Sequence, residues 1–273
     1  MATVRRPAVA GLFYPASAAE LSAQVASLLE AARRTCPAGG GPPAAPVKAL
    51  IAPHAGYVYS GPTAAAGYAA LDGDYRQVVL LGPCHRVGTP YLALPGADFL
   101  RTPLGDAPVW QAGTAAVEGL PEVIVSPEVH AREHSLEVHL PFIQTVLGPD
   151  MPVLALAVGW AKPKTVAAVL EAVWGGPETL VVVSSDLSHY LPYEVARQRD
   201  RDTLAQIMAL SPELVGEQAC GAHPVNGLTE LARRRRLRPR LVDYRNSGDT
   251  AGDRSAVVGY AAVAYREGLS DAV

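Results

Sequence analysis

Three apolar runs in the chain end alike. Val47-Lys-Ala-Leu-Ile-Ala52 leads into Pro53 and His54, and Gln77-Val-Val-Leu-Leu-Gly82 into Pro83, Cys84 and His85. Leu180-Val-Val-Val-Ser-Ser185 leads into Asp186-Leu-Ser-His189. Short, continuous apolar runs bounded by turn residues mark strands buried on both faces. After Ser60 small residues with Tyr and Leu at helical spacing predict a helix to about Leu71. In open α/β sheets ligands bind just past the carboxyl ends of strands. One histidine there is as easily a structural residue capping a strand. Three in register predict a shared rim.

The remaining pattern alternates in the same way. Ser17 is placed to cap a helix, with Glu20 at the capping-box position and a stripe of Leu21, Val25, Leu28, Leu29 and Ala32. Pro37 to Pro46 reads as a mobile Gly/Pro/Ala loop rather than a domain boundary. Short strands are predicted at Tyr91–Leu94, near Phe99 and at Val123–Val125, with a helix over Val109–Glu118. Ser135 is placed to cap a helix through Val138, Phe142, Val146 and Leu147, its first turn distorted by Pro141. A buried strand at Val153–Val158 precedes a helix near Thr165–Trp174. A long helix over Glu194–Leu210, a further helical segment leading to Ala219 and a helix over Asn226–Arg236 follow. Strands over Arg240–Tyr244 and Ala256–Tyr265 flank a Gly/Asp/Ser loop. This predicts an α/β fold in one domain over residues 1–273, with a mainly parallel or mixed central sheet flanked by helices.

Composition narrows the function. The 273 residues carry a net charge of −3, which gives no electrostatic case for nucleic acid. The one basic run, Arg233–Arg236, suits the solvated end of a helix. Three cysteines, Cys36, Cys84 and Cys220, form no disulfide framework, so a reducing cytoplasm is expected. No apolar h-region follows Arg5-Arg6, and no run has the length of a membrane span.

The chemistry then rests on seven histidines and one cysteine. Neutral imidazole is the commonest metal ligand, and His54, His85 and His189 converge if the rim is real. Cys220, in a small-residue turn before Pro224, offers a thiolate. Imidazole with thiolate is a soft set, suited to iron(II), copper or zinc rather than magnesium. His130, His134 and Glu137 are a rival set with zinc-like helical spacing. Pro141, and the helix-start character of Glu133-His-Ser-Leu, weigh against it. His134 and Glu137 therefore read as groups that support the site or touch a ligand, and His130 as a surface residue. Asp186 is placed either to orient an imidazole for acid/base work or to cap a following helix. No Gly-x-Ser-x-Gly elbow and no glycine-rich phosphate loop is present, which argues against a serine hydrolase, a kinase or a dinucleotide enzyme.

Six motifs together carry a resemblance: Gly11-Leu-Phe-Tyr-Pro15, Ala52-Pro-His-Ala-Gly-Tyr-Val-Tyr-Ser-Gly61, Leu81-Gly-Pro-Cys-His85, Glu133-His-Ser-Leu-Glu-Val-His-Leu-Pro141, Ser184-Ser-Asp-Leu-Ser-His-Tyr190 and Cys220-Gly-Ala-His-Pro224. In this order, over nearly the whole chain, they resemble the Memo family, called AmmeMemoRadiSam system protein B in bacteria and archaea. That family is similar in fold to class III extradiol dioxygenases, which use non-haem iron(II). The resemblance implies His54 and His85 as metal ligands and Cys220 as a thiolate where the dioxygenases have a carboxylate. It implies His189 as the acid/base residue with Asp186 beside it. The thiolate puts ring cleavage in doubt and opens copper as a second metal and a different oxidation as the reaction. Two classes of function follow: a metal-dependent, dioxygenase-like redox enzyme acting on a small molecule or modified side chain, or a metal- or peptide-binding module without turnover. A zinc hydrolase is a third reading. The system name implies a functional link to a radical-SAM protein and an Ammecr-domain protein.

Overall fold

The computed structural model describes residues 2–35 and 45–268. Cys36 and most of the loop expected over Pro37–Pro46 lie outside them. In chain order the elements are β1 (Val4–Arg5), α1 (Ala18–Thr35), β2 (Val47–Ala52), α2 (Tyr57–Ala69), β3 (Gln77–Pro83), β4 (Leu92–Leu94), β5 (Phe99–Thr102), β6 (Gly105–Pro108), α3 (Gln111–Val117) and β7 (Val123–Val125). Then come α4 (Pro127–Ala131), α5 (Leu140–Leu147), β8 (Val153–Val158), α6 (Pro163–Ala172), β9 (Thr179–Ser184), β10 (His189–Leu191), α7 (Tyr193–Met208), α8 (Ala222–Arg235), β11 (Arg238–Asn246) and β12 (Val257–Arg266).

The main sheet has the order β10-β12-β2-β9-β3-β8-β4-β7, with β11 also paired to β12. Its centre, β2-β9-β3-β8, is parallel, and β12 and β4 join that centre antiparallel. The α/β expectation of a mixed central sheet flanked by helices therefore holds. A small second sheet, β1-β5-β6, stands beside it.

Alternation along the buried strands divides the core in two. Ala49 and Ile51 of β2 face Val166, Leu170, Leu228 and Leu231 of α6 and α8. Leu50 and Ala52 face Leu21, Val25, Tyr68 and Phe142 of α1, α2 and α5. Burying each such side chain contributes roughly 1.5–3 kcal/mol, which is why these runs carry almost no polar residue. The exception is Lys48, 3% exposed in β2. Its ammonium donates to the carbonyls of Trp174, Gly176 and Thr179 at 2.6–2.7 Å, so the buried charge is fully hydrogen-bonded.

Register delivers the rim. Ala52 of β2 pairs with Ser184 of β9, and Leu81 of β3 with Val183. These three neighbouring parallel strands end level, so the residues after each emerge on one edge.

Several local expectations are corrected. The segment 211–221 is not helical: α7 ends at Met208, and Leu210 just beyond it has a left-handed φ of 55°. The Asn226 side chain then bonds both Leu214 N–H and Leu214 carbonyl, at 2.9 and 2.8 Å, replacing helical partners. Freed of that constraint, α8 begins at Ala222, with Pro224 in its first turn. Ser135 caps no helix. Its N–H goes to Glu133 and its hydroxyl to the Pro83 carbonyl, and a 3-10 turn over Glu137–His139 precedes α5. The Arg233–Arg236 run does sit at the end of α8, where Arg234 pairs with Glu230 and Arg235 with Glu171.

Candidate metal centre

The loop after β2 places His54 at the carboxyl edge, 2% exposed. Its Nδ1 lies 2.6 Å from Ser184 Oγ, at the end of β9. Ser184 spends its own hydroxyl hydrogen on the Ser135 carbonyl, at 2.7 Å. The serine must then accept from the ring, which puts the proton on Nδ1 and leaves Nε2 with a free lone pair.

His85 is oriented in the same sense by a different acceptor. Its Nδ1 donates to Glu133 Oε1 at 2.9 Å, and its backbone N–H donates to Glu133 Oε2. Burial pushes the Glu133 carboxyl up, but hydrogen bonds from the His85 ring and from backbone N–H groups of His85 and Ser135 outweigh it and hold the group down at about 2. Glu133 is therefore an ionised acceptor, and His85 also presents Nε2.

His134 comes from the turn that Glu133 pins, its N–H donating to Glu133 Oε1 at 2.9 Å. Gly82 permits this approach, because a Cβ there would stand 2.7 Å from Ser135 Oγ. The His54, His85 and His134 rings meet with centroids 4.6–5.4 Å apart. One donor atom from each lies within 4.8 Å of the others, a set able to hold a metal ion. Burial, then the neighbouring imidazoles, pushes the His54 pKa well below the ordinary range. Burial above all lowers that of His134 to about 4. Both rings are thus neutral donors at physiological pH. His134 Nδ1 is buried and makes no hydrogen bond, though Glu133 Oε1 lies 3.4 Å away, and a cation would satisfy a nitrogen left in this state.

Cys220 Sγ stands 3.3 Å from His54 Nε2 and 3.3 Å from the Asp186 backbone nitrogen. It adjoins the three-imidazole set through His54 but is not a member of it. Burial, then the Asp186 charge, pushes its thiol pKa up, so the free thiol stays protonated. The approach again depends on a glycine: a Cβ on Gly221 would lie 2.5 Å from the Ser184 carbonyl oxygen.

Asp186 is buried behind His54, accepting its backbone N–H at 2.8 Å, with Oδ2 3.9 Å from its Nε2. Burial lifts its carboxyl to about 7. No helix follows for it to cap, since β10 comes next. His189 opens β10, its pKa lowered by burial and, secondarily, by the His85 charge. The following Tyr190 has a left-handed φ of 56°, a conformation costing a non-glycine residue about 1–2 kcal/mol. Strain of this kind persists where the surrounding structure holds it, commonly at functional sites.

One expectation is narrowed, Glu137 to a supporting role, and one is corrected, that for His130. Glu137 offers the histidines no free oxygen: its carboxylate accepts from Arg5, from Ala8 and Val9 N–H at 2.7 and 3.0 Å, and from the Tyr14 hydroxyl. His130 is buried, not on the surface, with Nε2 donating to the Ala93 carbonyl at 2.7 Å. Glu133, Ser184 and Arg5 were not singled out in the sequence. Only Glu133 had a local signal, as a carboxylate directly before a histidine.

The profile described as Memo-like protein matches residues 5–264. The chain belongs to the Memo family.

Similar curated relatives, each called a MEMO1 family protein, agree over almost their full length. One from Aeropyrum pernix is 36% identical over 277 residues, covering 95% of this chain and 99% of its own. One from Ignicoccus hospitalis is 35% identical over 285 residues, covering 96% and 98%. A crystal structure of an uncharacterized protein from Escherichia coli K12 has a TM-score of 0.52 at 13% identity, covering 79% of this chain and 98% of that one, and so shares the fold. All six Memo motifs contribute to this one region. Phe13 of the first packs on His134 at 4.9 Å, and the other five carry His54, His85, Glu133 with His134, Ser184 to His189, and Cys220.

Proposed function

We propose that the chain binds a transition-metal ion and performs dioxygenase-like redox chemistry, with His54 and His85 as fixed ligands. His134 supplies a third imidazole, and Cys220 a thiolate once its proton is lost. The observation carrying this reading is that the Nδ1 atoms of His54 and His85 are both engaged by acceptors, leaving both Nε2 lone pairs for the cluster. An N/S donor set suits iron(II), copper or zinc, and the family's likeness to non-haem iron dioxygenases puts iron(II) first. Bound there, iron or copper supplies one-electron and oxygen chemistry.

The chain's own residues handle binding and protons. The His85 side chain keeps 27% of its surface open, so a small molecule or a peptide side chain can reach the cluster. His189, neutral at pH 7, accepts a proton from a ligand hydroxyl and returns it later. Asp186 fixes the His54 backbone and exchanges a proton near neutrality.

Two variants test these roles by metal content and oxygen uptake after anaerobic iron(II) loading. His189→Ala should retain metal while losing about two to four powers of ten in turnover. Cys220→Ser should lose metal affinity, because a hydroxyl at neutral pH is a far poorer ligand than a thiolate. The reverse pattern overturns the assignment. A loaded wild type that consumes no oxygen with any candidate substrate points to a binding module instead.

A further inference from the structure

We infer that Arg5 is a positioning residue for this centre, acting through Glu133 and Glu137. The inference rests on the metal reading for one of its two measurements and is independent of it for the other.

Arg5 belongs to β1, outside the main sheet, yet its side chain is only 8% exposed. Nε and Nη2 donate to the His130 carbonyl at 3.1 and 3.0 Å. Nη2 also donates to the Glu133 carbonyl, and Nη1 to the Glu137 carboxylate. The fork thus holds three points of the segment 130–137. Glu137 closes the latch from the other side by taking the N–H groups of Ala8 and Val9 and the Tyr14 hydroxyl.

What lies between these anchor points is the functional part of the segment. The Glu133 carboxylate accepts from the His85 ring and from the N–H groups of His85, His134 and Ser135. Its direction is set by the Glu133 backbone, and Arg5 holds that backbone by its carbonyl. Fixing the carboxylate fixes the His85 tautomer and the turn that presents His134. The same N-terminal segment lays Phe13 against the His134 ring and gives its Phe13 carbonyl to Tyr57 N–H at 2.8 Å.

A buried ion pair is weak evidence for stability, because desolvating two charges offsets their attraction. Charge balance for Glu137 alone would be met by lysine. Two carbonyls and a carboxylate at fixed angles need the planar fork of arginine.

The experiment compares Arg5→Lys, Arg5→Gln and Glu137→Gln with Leu170→Ala, a core change in α6 that should lower the melting temperature without touching the segment. Zinc(II) affinity is measured by competition with a chromophoric chelator. The His85 tautomer is read from long-range nitrogen–proton correlations in metal-free protein. Wild type should show His85 protonated at Nδ1 alone. Arg5→Lys, Arg5→Gln and Glu137→Gln should show mixed tautomers and bind zinc(II) about 10–100-fold more weakly, as for other groups that orient a ligand. Leu170→Ala should change neither. Wild-type affinity with an unmixed tautomer in Arg5→Lys overturns the inference. So does equal weakening by Leu170→Ala. If wild type binds no zinc(II) the metal reading fails, and the tautomer alone then decides the role of Arg5. If Arg5→Gln does not fold, the two conservative variants decide it.

Discussion

Ser184 accepts the Nδ1 proton of His54 across 2.6 Å, and passes its own hydroxyl hydrogen to the Ser135 carbonyl. One hydroxyl between two elements thus fixes which nitrogen of a buried imidazole is free. Ser184→Ala removes that acceptor and leaves the Ser135 carbonyl unpaired. We expect a stability loss of about 1–3 kcal/mol and metal affinity about 10–100-fold weaker. Denaturant melts and a chelator competition measure the two effects. Unchanged affinity would mean that the tautomer is set elsewhere.

The participation of Cys220 has a signature in pH. Its thiol is protonated at neutrality because burial, then the Asp186 charge, raises its pKa. Binding as thiolate therefore releases one proton, and affinity gains about tenfold per pH unit through neutrality. His54, pushed well below the ordinary range by burial, and His134, lowered to about 4, are already deprotonated and release none in this range. The plot of log affinity against pH from 6 to 8 should have a slope about one unit steeper in wild type than in Cys220→Ser. Equal slopes would assign the metal to the imidazoles alone.

Gly221→Ala tests how tightly Cys220 is placed. The added Cβ would stand 2.5 Å from the Ser184 carbonyl oxygen, a backbone atom that cannot swing aside. Either the end of β9 or the start of α8 must shift, moving Cys220 away from His54. We expect about 1–3 kcal/mol of destabilisation, typical of overpacking, with weaker metal binding. If both quantities match wild type, the contact between these two loops is not what positions the thiol.

Lys48 provides the opposite case, at the other end of β2. Lys48→Met keeps the buried stem but removes the ammonium donor from the Trp174, Gly176 and Thr179 carbonyls, of which Gly176 keeps the Thr179 N–H. A loss of roughly 2–4 kcal/mol is expected, with metal affinity unchanged because the site is at the carboxyl edge. Melting and metal titration of one variant separate the two properties.

Much of this protein was legible as sequence, because its signals are local. The doubly buried strands show as apolar runs, and parallel pairing of β2, β9 and β3 brings the loops after them to one edge. His54, His85, Asp186, His189 and Cys220 were all nameable from the ends of such runs or from motif. The Ser17 cap of α1 and the basic end of α8 also depend only on near neighbours.

What the tertiary structure decided are the partnerships made across large sequence separations. Glu137 and His134 share the turn-forming segment between α4 and α5, yet one is tied to the N-terminal segment and the other joins the imidazole cluster. His130 became a buried structural residue because β4 offers it the Ala93 carbonyl. Segment 211–221 lost its helix to a side chain twelve residues from Leu214, that of Asn226. Hydrophobic periodicity reports which face a residue turns to the core. It carries no information about which buried polar atom will find which partner, and in this centre those partners fix which nitrogen of His54 and of His85 is free.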